Sequence, residues 1–293
     1  MNRHILLTVI VLVFFSAWFS SALIYASSNK PPESYSKSAV ASSSTIWVPD
    51  NYTKIQEAIN AAQEGDTIFV RAGTYYEHIV VDKALSLIGE NEHATIIDGN
   101  GTGIVVYVIT NNVTLSGFTI QKGELGIYLL ESSNNTLASN TASNNSYGIF
   151  LRGSNTNTLT NNTASNNWYG IYLWGSSNNT FTGNTIPSNW YGIYVWGSTN
   201  NIFTDNTVLN NSHGIYLQGS INNILTRNTA SKNLDGIYLW ESSNNTLTGN
   251  TLSSNNDNGI IIYHSSSNVL SSNDASNSQC GIRISDSDNN LFS

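Results

Sequence analysis

Residues 170–191 read GIYLWGSSNNTFTGNTIPSNWY, and this stretch decides the fold. Ile171 and Leu173 alternate with Tyr172 and Trp174, the two-residue period of a half-buried strand. Phe181 and Ile186 mark two further short inward segments, and none of the three is long enough for a helix. The Gly-Ile pair that opens the stretch recurs at 126, 148, 170, 192, 214 and 236, always 22 residues apart, and at 259 and 281 after one step of 23. A turn near Asp257-Asn258 can absorb the extra residue as a bulge.

A leucine-rich repeat would need more leucines and usually a helical segment in each unit. A hexapeptide β-helix needs a period divisible by six, and the calcium-binding nonapeptide needs GGxGxD; neither fits. Three short strands per 22 residues, separated by Gly and Asn turns, predict an all-β chain: a single-stranded right-handed parallel β-helix whose coils pair with their neighbours. The columns Ile127 to Ile282, Leu129 to Ile284 and Leu137 to Phe292 are apolar throughout and make one core. Asparagine recurs at 135, 157, 179, 201, 223, 245, 268 and 290, and at 140, 162, 184, 206, 228, 250 and 273. An amide donates and accepts, so stacked copies can satisfy one another and the turn backbone.

Each coil buries its apolar face against the next, so an end coil needs a lid. At the N-terminal end, KIQEAINAA carries a helical stripe of Ile55, Ala58, Ile59 and Ala62, stopped by Gly65-Asp66. Strand-like TIFV at 67–70, HIVV at 78–81, LSLI at 85–88 and TII at 95–97 follow. The last coil, by contrast, stops partway at Ser293: either that edge is exposed, where copies of the chain could self-associate, or the sequence is incomplete.

Arg3 and His4 precede an uncharged, mostly apolar run from Ile5 to Ile24 and small residues at Ala26-Ser27-Ser28, so residues 1–26 read as an export signal, cleaved or retained as an anchor. Arg3 on the inner side places the remainder outside, and an uncleaved segment would be the sole tie to a membrane. A Ser/Pro-rich linker at 27–44, a cap with the first coils at 45–125 and regular coils at 126–293 complete the expected organisation.

Of the 293 residues, 40% are apolar and 10% charged, with a net charge of −8. From residue 126 onward the cations are Arg152, Arg227, Lys232 and Arg283, too few to track phosphates, so nucleic acid is not an expected partner. Cys280 is the single cysteine, which excludes an intrachain disulfide.

Val48 to Gly101, VPDNYTKIQEAINAAQEGDTIFVRAGTYYEHIVVDKALSLIGENEHATIIDGNG, resembles the opening of pectin-lyase-fold proteins. With the Asn-rich coils behind it, the chain resembles the NosD-like, carbohydrate-binding and sugar-hydrolysis group of right-handed β-helix proteins over almost everything after residue 45. GTYYE at Gly73 to Glu77 is similar to the start of pectin methylesterases, but their later Gln- and Asp-bearing motifs have no match. The Asn-Thr-Asp, Asp-Asp and Gly-His-Gly signatures of polygalacturonases are also missing. The NosD resemblance implies a link to copper-site assembly. After residue 26, however, His78, His93, His213, His264 and Cys280 do not fall at ligand spacing in one column, so no metal or other cofactor is expected.

A glycosidase needs two carboxyl groups facing one sugar, and an elimination lyase needs a base with a cation. Asp205 and Arg227 share a column one coil apart, as do His213 and Asp235; both pairs read most simply as cross-strand polar contacts, with Glu241, Asp257 and Asp286 as weaker acids. The outward aromatics are more telling. Tyr128, Phe150, Tyr172, Tyr194, Tyr216 and Tyr238 form one column; Trp174, Trp196 and Trp240 form the next, with Trp168 and Trp190 on the approach. The tyrosines suit a stabilising ladder, whereas indole faces can stack on the C–H faces of sugars. The expectation is a strip of Trp168, Tyr172, Trp174, Trp190, Tyr194, Trp196, Tyr238 and Trp240 that binds an extended polysaccharide without catalysis. A polysaccharide lyase or hydrolase and an adhesive rod are the alternatives. Nine Asn-X-Ser/Thr sequons, among them Asn51, Asn100, Asn112, Asn134 and Asn244, could accept glycans on an exported chain.

Overall fold

The computed structural model describes residues 43–293. The export segment and all but the last two residues of the expected linker lie outside that range. Among the described residues no helix is long and apolar enough to cross a membrane.

The described chain is a parallel β-solenoid of three sheets. Sheet I has twelve strands, from Thr45–Val48 to Leu291–Phe292; sheet II has ten, from Ile79–Val81 to Cys280–Ser285; sheet III has eight, from Gly73–Tyr75 to Thr229–Ser231. One coil runs Tyr169–Trp174 in sheet II, Thr180–Thr182 in sheet I and Thr185–Pro187 in sheet III. Pairing keeps the 22-residue register, Ile171 with Ile193 and Phe181 with Phe203. The step becomes 23 where Asp235 pairs with Asn258, while Asn233 still bonds to Asn255 at 22, so the extra residue sits in the turn between Asn255 and Asn258 as expected.

The three apolar columns are inward. Ile127, Leu129, Leu137, Ile171, Leu173 and Phe181 are fully buried, and Phe181 stacks on Phe203 at 4.7 Å. In the last described coil the same columns are more open, with Ile282, Ile284 and Phe292 41–46% exposed.

Turn chemistry explains the composition. Each regular coil bends through left-handed residues, in this coil Gly175, Asn178, Gly183 and Ser188, positions that Gly and Asn occupy at least cost. The Gly-Ile glycine has a different cause. Its φ is not positive, but a Cβ at Gly170 would lie 2.5 Å from Ile186 Cγ2 and 2.6 Å from the Gly192 carbonyl oxygen. Gly170 thus faces inward beside Ile171 and breaks the strand's alternation, which places Tyr169 on the same outer face as Tyr172, ring centroids 5.2 Å apart.

Both asparagine ladders are present, buried except at Asn273 and Asn290, which are half-buried. Asn179 donates from its backbone and from Nδ2 to Asn201 Oδ1 at 2.9 and 3.0 Å, and also from Nδ2 to the Ser154 carbonyl at 3.0 Å. Its own Oδ1 accepts the backbone N–H and Nδ2 of Asn157 at 2.8 and 3.0 Å. A third ladder at the remaining corner, Asn145, Asn167, Asn189, Asn211, Asn233 and Asn255, and a serine ladder through Ser154, Ser176, Ser198 and Ser220 were not expected.

The cap helix spans Ile55–Ala61, and Ile55, Ala58 and Ile59 are buried over the first coil. No local side chain caps its start. Instead the Glu77 carboxylate, from the GTYYE segment, accepts the Ile55 and Gln56 N–H groups at 2.9 and 3.0 Å. Lys83 Nζ donates to the carbonyls of Ile59, Asn60 and Ala62 at 2.8–3.1 Å. These contacts satisfy groups that a short helix leaves bare and oppose the helix dipole. Gln56 accepts the Val80 N–H at 2.7 Å and donates to its carbonyl at 3.3 Å, standing in for the strand missing beside the first strand of sheet II. The four expected strands appear within one residue of their bounds, and the strands Thr45–Val48 and Gly73–Tyr75 are additional.

Candidate glycan-binding face

The outer face of sheet II carries the aromatic residues. Tyr107, Tyr128, Phe150, Tyr172, Tyr194, Tyr216 and Tyr238 stand in one column with successive centroids 4.8–5.3 Å apart. Beside them Tyr147, Tyr169 and Tyr191 form a second column, continued by His213. The two columns interlock, and this corrects the sequence reading of Tyr172 as solvent-facing: Tyr128, Phe150, Tyr172 and Tyr216 are only 6–8% exposed. They point outward, but the neighbouring rings cover them. The tyrosine slab is therefore an outer core rather than an open platform.

Burial, reinforced by adjacent phenols, pushes Tyr194 up to about 12 and raises Tyr172 and Tyr216 as well. An unfolded tyrosine ionises near pH 10, so the slab's contribution is whole below about pH 10 and is lost as pH rises toward the folded values. Each tyrosine that ionises only in the unfolded chain costs about 1.4 kcal/mol per pH unit, and three such groups about 4. Urea unfolding at about pH 9 and about pH 11 should show this loss. Tyr172→Phe with Tyr216→Phe should flatten it.

The tryptophans are arranged differently. Trp168 and Trp190 stack at 5.1 Å and 9°, and Trp174 and Trp196 at 5.1 Å and 14°. They are 53, 46, 39 and 40% exposed, in that order. The first pair stands at the start of the sheet II strands and the second at their end, with about 20 Å of chain between them. Among the described residues neither pair stacks on a tyrosine or on the other pair, although Trp168 and Tyr169 are joined by a side-chain hydrogen bond, so the expected strip is two separate indole stacks flanking a covered slab. Arg152 lies over Trp174, its guanidinium carbon 4.6 Å from the ring centre. Trp240 is half-buried against Tyr238 and Tyr216 and is not a free indole face. Trp168 and Trp190 wall a groove of about 880 Å³ along the corner between sheets III and II, lined also by Asn210, Ser212, Lys232 and Leu234. No feature of the sequence marked this groove in advance.

The acid candidates do not converge. Asp205 and Arg227 form a bidentate pair at 2.8 and 2.9 Å, but between stacked turns rather than strands, both in left-handed backbone. The guanidinium holds the Asp205 carboxyl below its ordinary value. His213 and Asp235 are adjacent on sheet II, 3.3 Å apart, without a directed hydrogen bond at His213 Nδ1. Burial works to raise Asp235, yet contacts from His213 and Asn258 outweigh it and leave its carboxyl lowered. Glu241 and Asp286 sit in one turn column with His264 between them, and Asp257 is at another corner. Among the described residues no three His, Cys, Asp or Glu side chains are placed to share a metal ion. His78 Nδ1 is bonded to the Ile104 carbonyl, His213 is stacked on Tyr191 and His264 meets Tyr263 edge to face, so these donors do not fit a copper site. Eight sequon asparagines, Asn100, Asn112, Asn134, Asn144, Asn161, Asn178, Asn210 and Asn244, are exposed in left-handed turns.

Known proteins share this architecture. The Dettilon tailspike protein superposes with a TM-score of 0.65 at 16% identity, covering 78% of this chain and 54% of its own. The A-module of the Azotobacter vinelandii mannuronan C-5 epimerase AlgE4 gives 0.58 at 17% identity, over 84% and 96%. At such identity the likeness is one of fold. A cell surface glycoprotein of Methanothermus fervidus is 39% identical over 80 residues, which are 27% of this chain and only 13% of that protein. The repeat, the cap and the asparagine ladders thus have their family: the one described as periplasmic copper-binding protein (NosD) matches residues 36–194 and 174–293, and the chain belongs to it.

Proposed function

We propose that this chain is an exported, cell-surface β-helix protein that binds extended polysaccharide through its two indole stacks, without catalysis. The observation that carries this reading is the pair of parallel, exposed tryptophan stacks on a molecule whose other large aromatics in the same sheet are buried or half-buried. Indoles bury large apolar area when covered, and a soluble protein gains nothing from leaving four of them open unless something docks there. The absence of a common focus among Asp205, Arg227, His213 and Asp235 favours binding over cleavage. Export rests on the apolar run from Ile5 to Ile24, and a surface location agrees with the relative from Methanothermus fervidus.

A polysaccharide panel in native affinity gels, with parallel assays for new reducing or unsaturated ends, tests the proposal. Mannuronan is a natural first polymer, given the named fold relative. Retardation by at least one polymer without new ends is expected, and longer chains should bind more tightly than short ones because each added contact is local in concentration. Release of ends would move the assignment to a lyase or hydrolase. No retardation by any polymer would leave the rod.

A further inference from the structure

The Trp168 and Trp190 stack stops one rung short of a filled corner. The equivalent positions run Ser146, Trp168, Trp190, Ser212 and Leu234 at successive 22-residue steps. Indole planes only 9° apart with centroids at 5.1 Å are stacked along the solenoid axis, because the coil spacing is about 4.8 Å. One face of Trp190 is covered by Trp168. The other looks along the axis over Ser212, whose side chain is far too short to meet it, toward Leu234 two coils on. Two coil steps put Trp190 and Leu234 about 10 Å apart, and van der Waals contact on each side takes about 4 Å of separation. That leaves room for one saturated ring.

The rim of this gap is polar and uncommitted. Asn211 and Asn233 are used by the asparagine ladder. Among the described residues, the side chains of Asn210, Ser212, Lys232 and Asn256 have no hydrogen-bond or ion-pair partner, and all four line the same groove. An apolar face above, an aliphatic wall below and amide, hydroxyl and ammonium groups at the edge match a pyranose, with its C–H faces and hydroxyl rim.

We infer that a single pyranose ring of a glycan intercalates over Ser212, between Trp190 and Leu234, as the missing rung of the corner ladder. The inference deepens the proposed function and rests on it for the ligand class. It separates this gap from the Trp174 and Trp196 stack, where Arg152 lies over Trp174 and the position after Trp196 holds the longer Gln218.

Filling the gap tests it. Protein made in a host that adds no N-glycans, since Ser212 completes the Asn210 sequon, would be titrated with gluco-, manno- and mannurono-oligosaccharides of four sugars, followed by tryptophan fluorescence and calorimetry. Wild type should bind at least one of them. Ser212→Trp, which completes the indole stack, should weaken that binding at least tenfold while the melting temperature holds or rises. Ser212→Leu, which installs the side chain this column already holds at 234, should do the same and covers the case in which the tryptophan variant fails to fold. Ser212→Ala, which keeps the gap open and loses one rim hydroxyl, should weaken binding no more than about threefold, and Thr180→Ala, in sheet I and outside both stacks and the groove, should leave the short ligand's affinity unchanged. Undiminished binding by folded Ser212→Leu would overturn the inference, as would failure of wild type to bind any of the short glycans. Either result leaves polymer binding through Trp174 and Trp196 standing if gel retardation persists, so the two readings fail separately.

Discussion

Leu173→Asp should unfold the coils around it. Leu173 is fully buried in the continuous column that includes Leu151 and Val195. The change removes an apolar side chain, which costs about 2–5 kcal/mol when leucine is cut to alanine, and adds an unpaired carboxylate for which the core offers no partner. The sum reaches the scale of a whole domain's stability, about 5–15 kcal/mol. A solenoid couples mainly to its neighbours, so the damage should be local. Hydrogen exchange should show lost protection from about Tyr147 to Trp196, with the cap and the strand Ser86–Gly89 still protected. Leu173→Ala should melt lower than wild type but cooperatively. A wild-type melting curve for Leu173→Asp would mean that the side chain is not inward.

Asn179→Ala should be the costliest of the small polar-to-apolar changes. Asn179 Oδ1 accepts both the backbone N–H and Nδ2 of Asn157, and its Nδ2 is the donor to the Ser154 carbonyl. Removing the amide strands the Asn157 N–H, the Ser154 carbonyl and part of Asn201, all in places water does not reach. Buried unpaired groups cost about 1–3 kcal/mol each, so a loss of about 3–6 kcal/mol is expected. Thr180→Ala, next in sequence but half-buried and without a side-chain hydrogen bond, should change stability by about 0.5 kcal/mol or less. Urea unfolding of the two variants side by side checks the contrast; equal losses would show that the ladder is a passenger of the strands.

The core was legible because repetition multiplies a weak signal. Ile171 and Leu173 alone suggest a strand, but the same alternation at 22-residue steps fixes which side is in. Asn179 and Asn184 stood out for the same reason. Asn189 belongs to a ladder equally regular but shorter, which gives way to Gly123 at one end and Ser278 at the other, and Ser176 is one among the many serines of the turns.

The site was less legible. Alternation tells which way Tyr172 points and not what lies beside it, and its burial comes from Tyr147 and Tyr169, brought onto its face by the breaks at Gly148 and Gly170. The same local geometry separates Trp168 from Trp174, which sequence spacing alone had merged into one strip. The gap over Ser212 is a missing side chain between two present ones, visible only when the stacking direction of Trp190 is known. The cap was read from its helical stripe, but Glu77 and Lys83 act on it from beyond the helix, and no local signal predicts that.

The account separates tryptophans that bind from tyrosines that stabilise, and one paired measurement tests that division: gel retardation by polysaccharide and melting temperature, read together for Trp174→Ala/Trp196→Ala and for Tyr172→Ala. The tryptophan variant should lose most retardation and melt close to wild type, since its side chains are 39 and 40% exposed. Tyr172→Ala should keep its retardation and melt lower, because it opens a cavity worth about 3–5 kcal/mol in the slab. Full retardation by the tryptophan variant, or its early melting, would contradict the account and make the indoles part of the ladder.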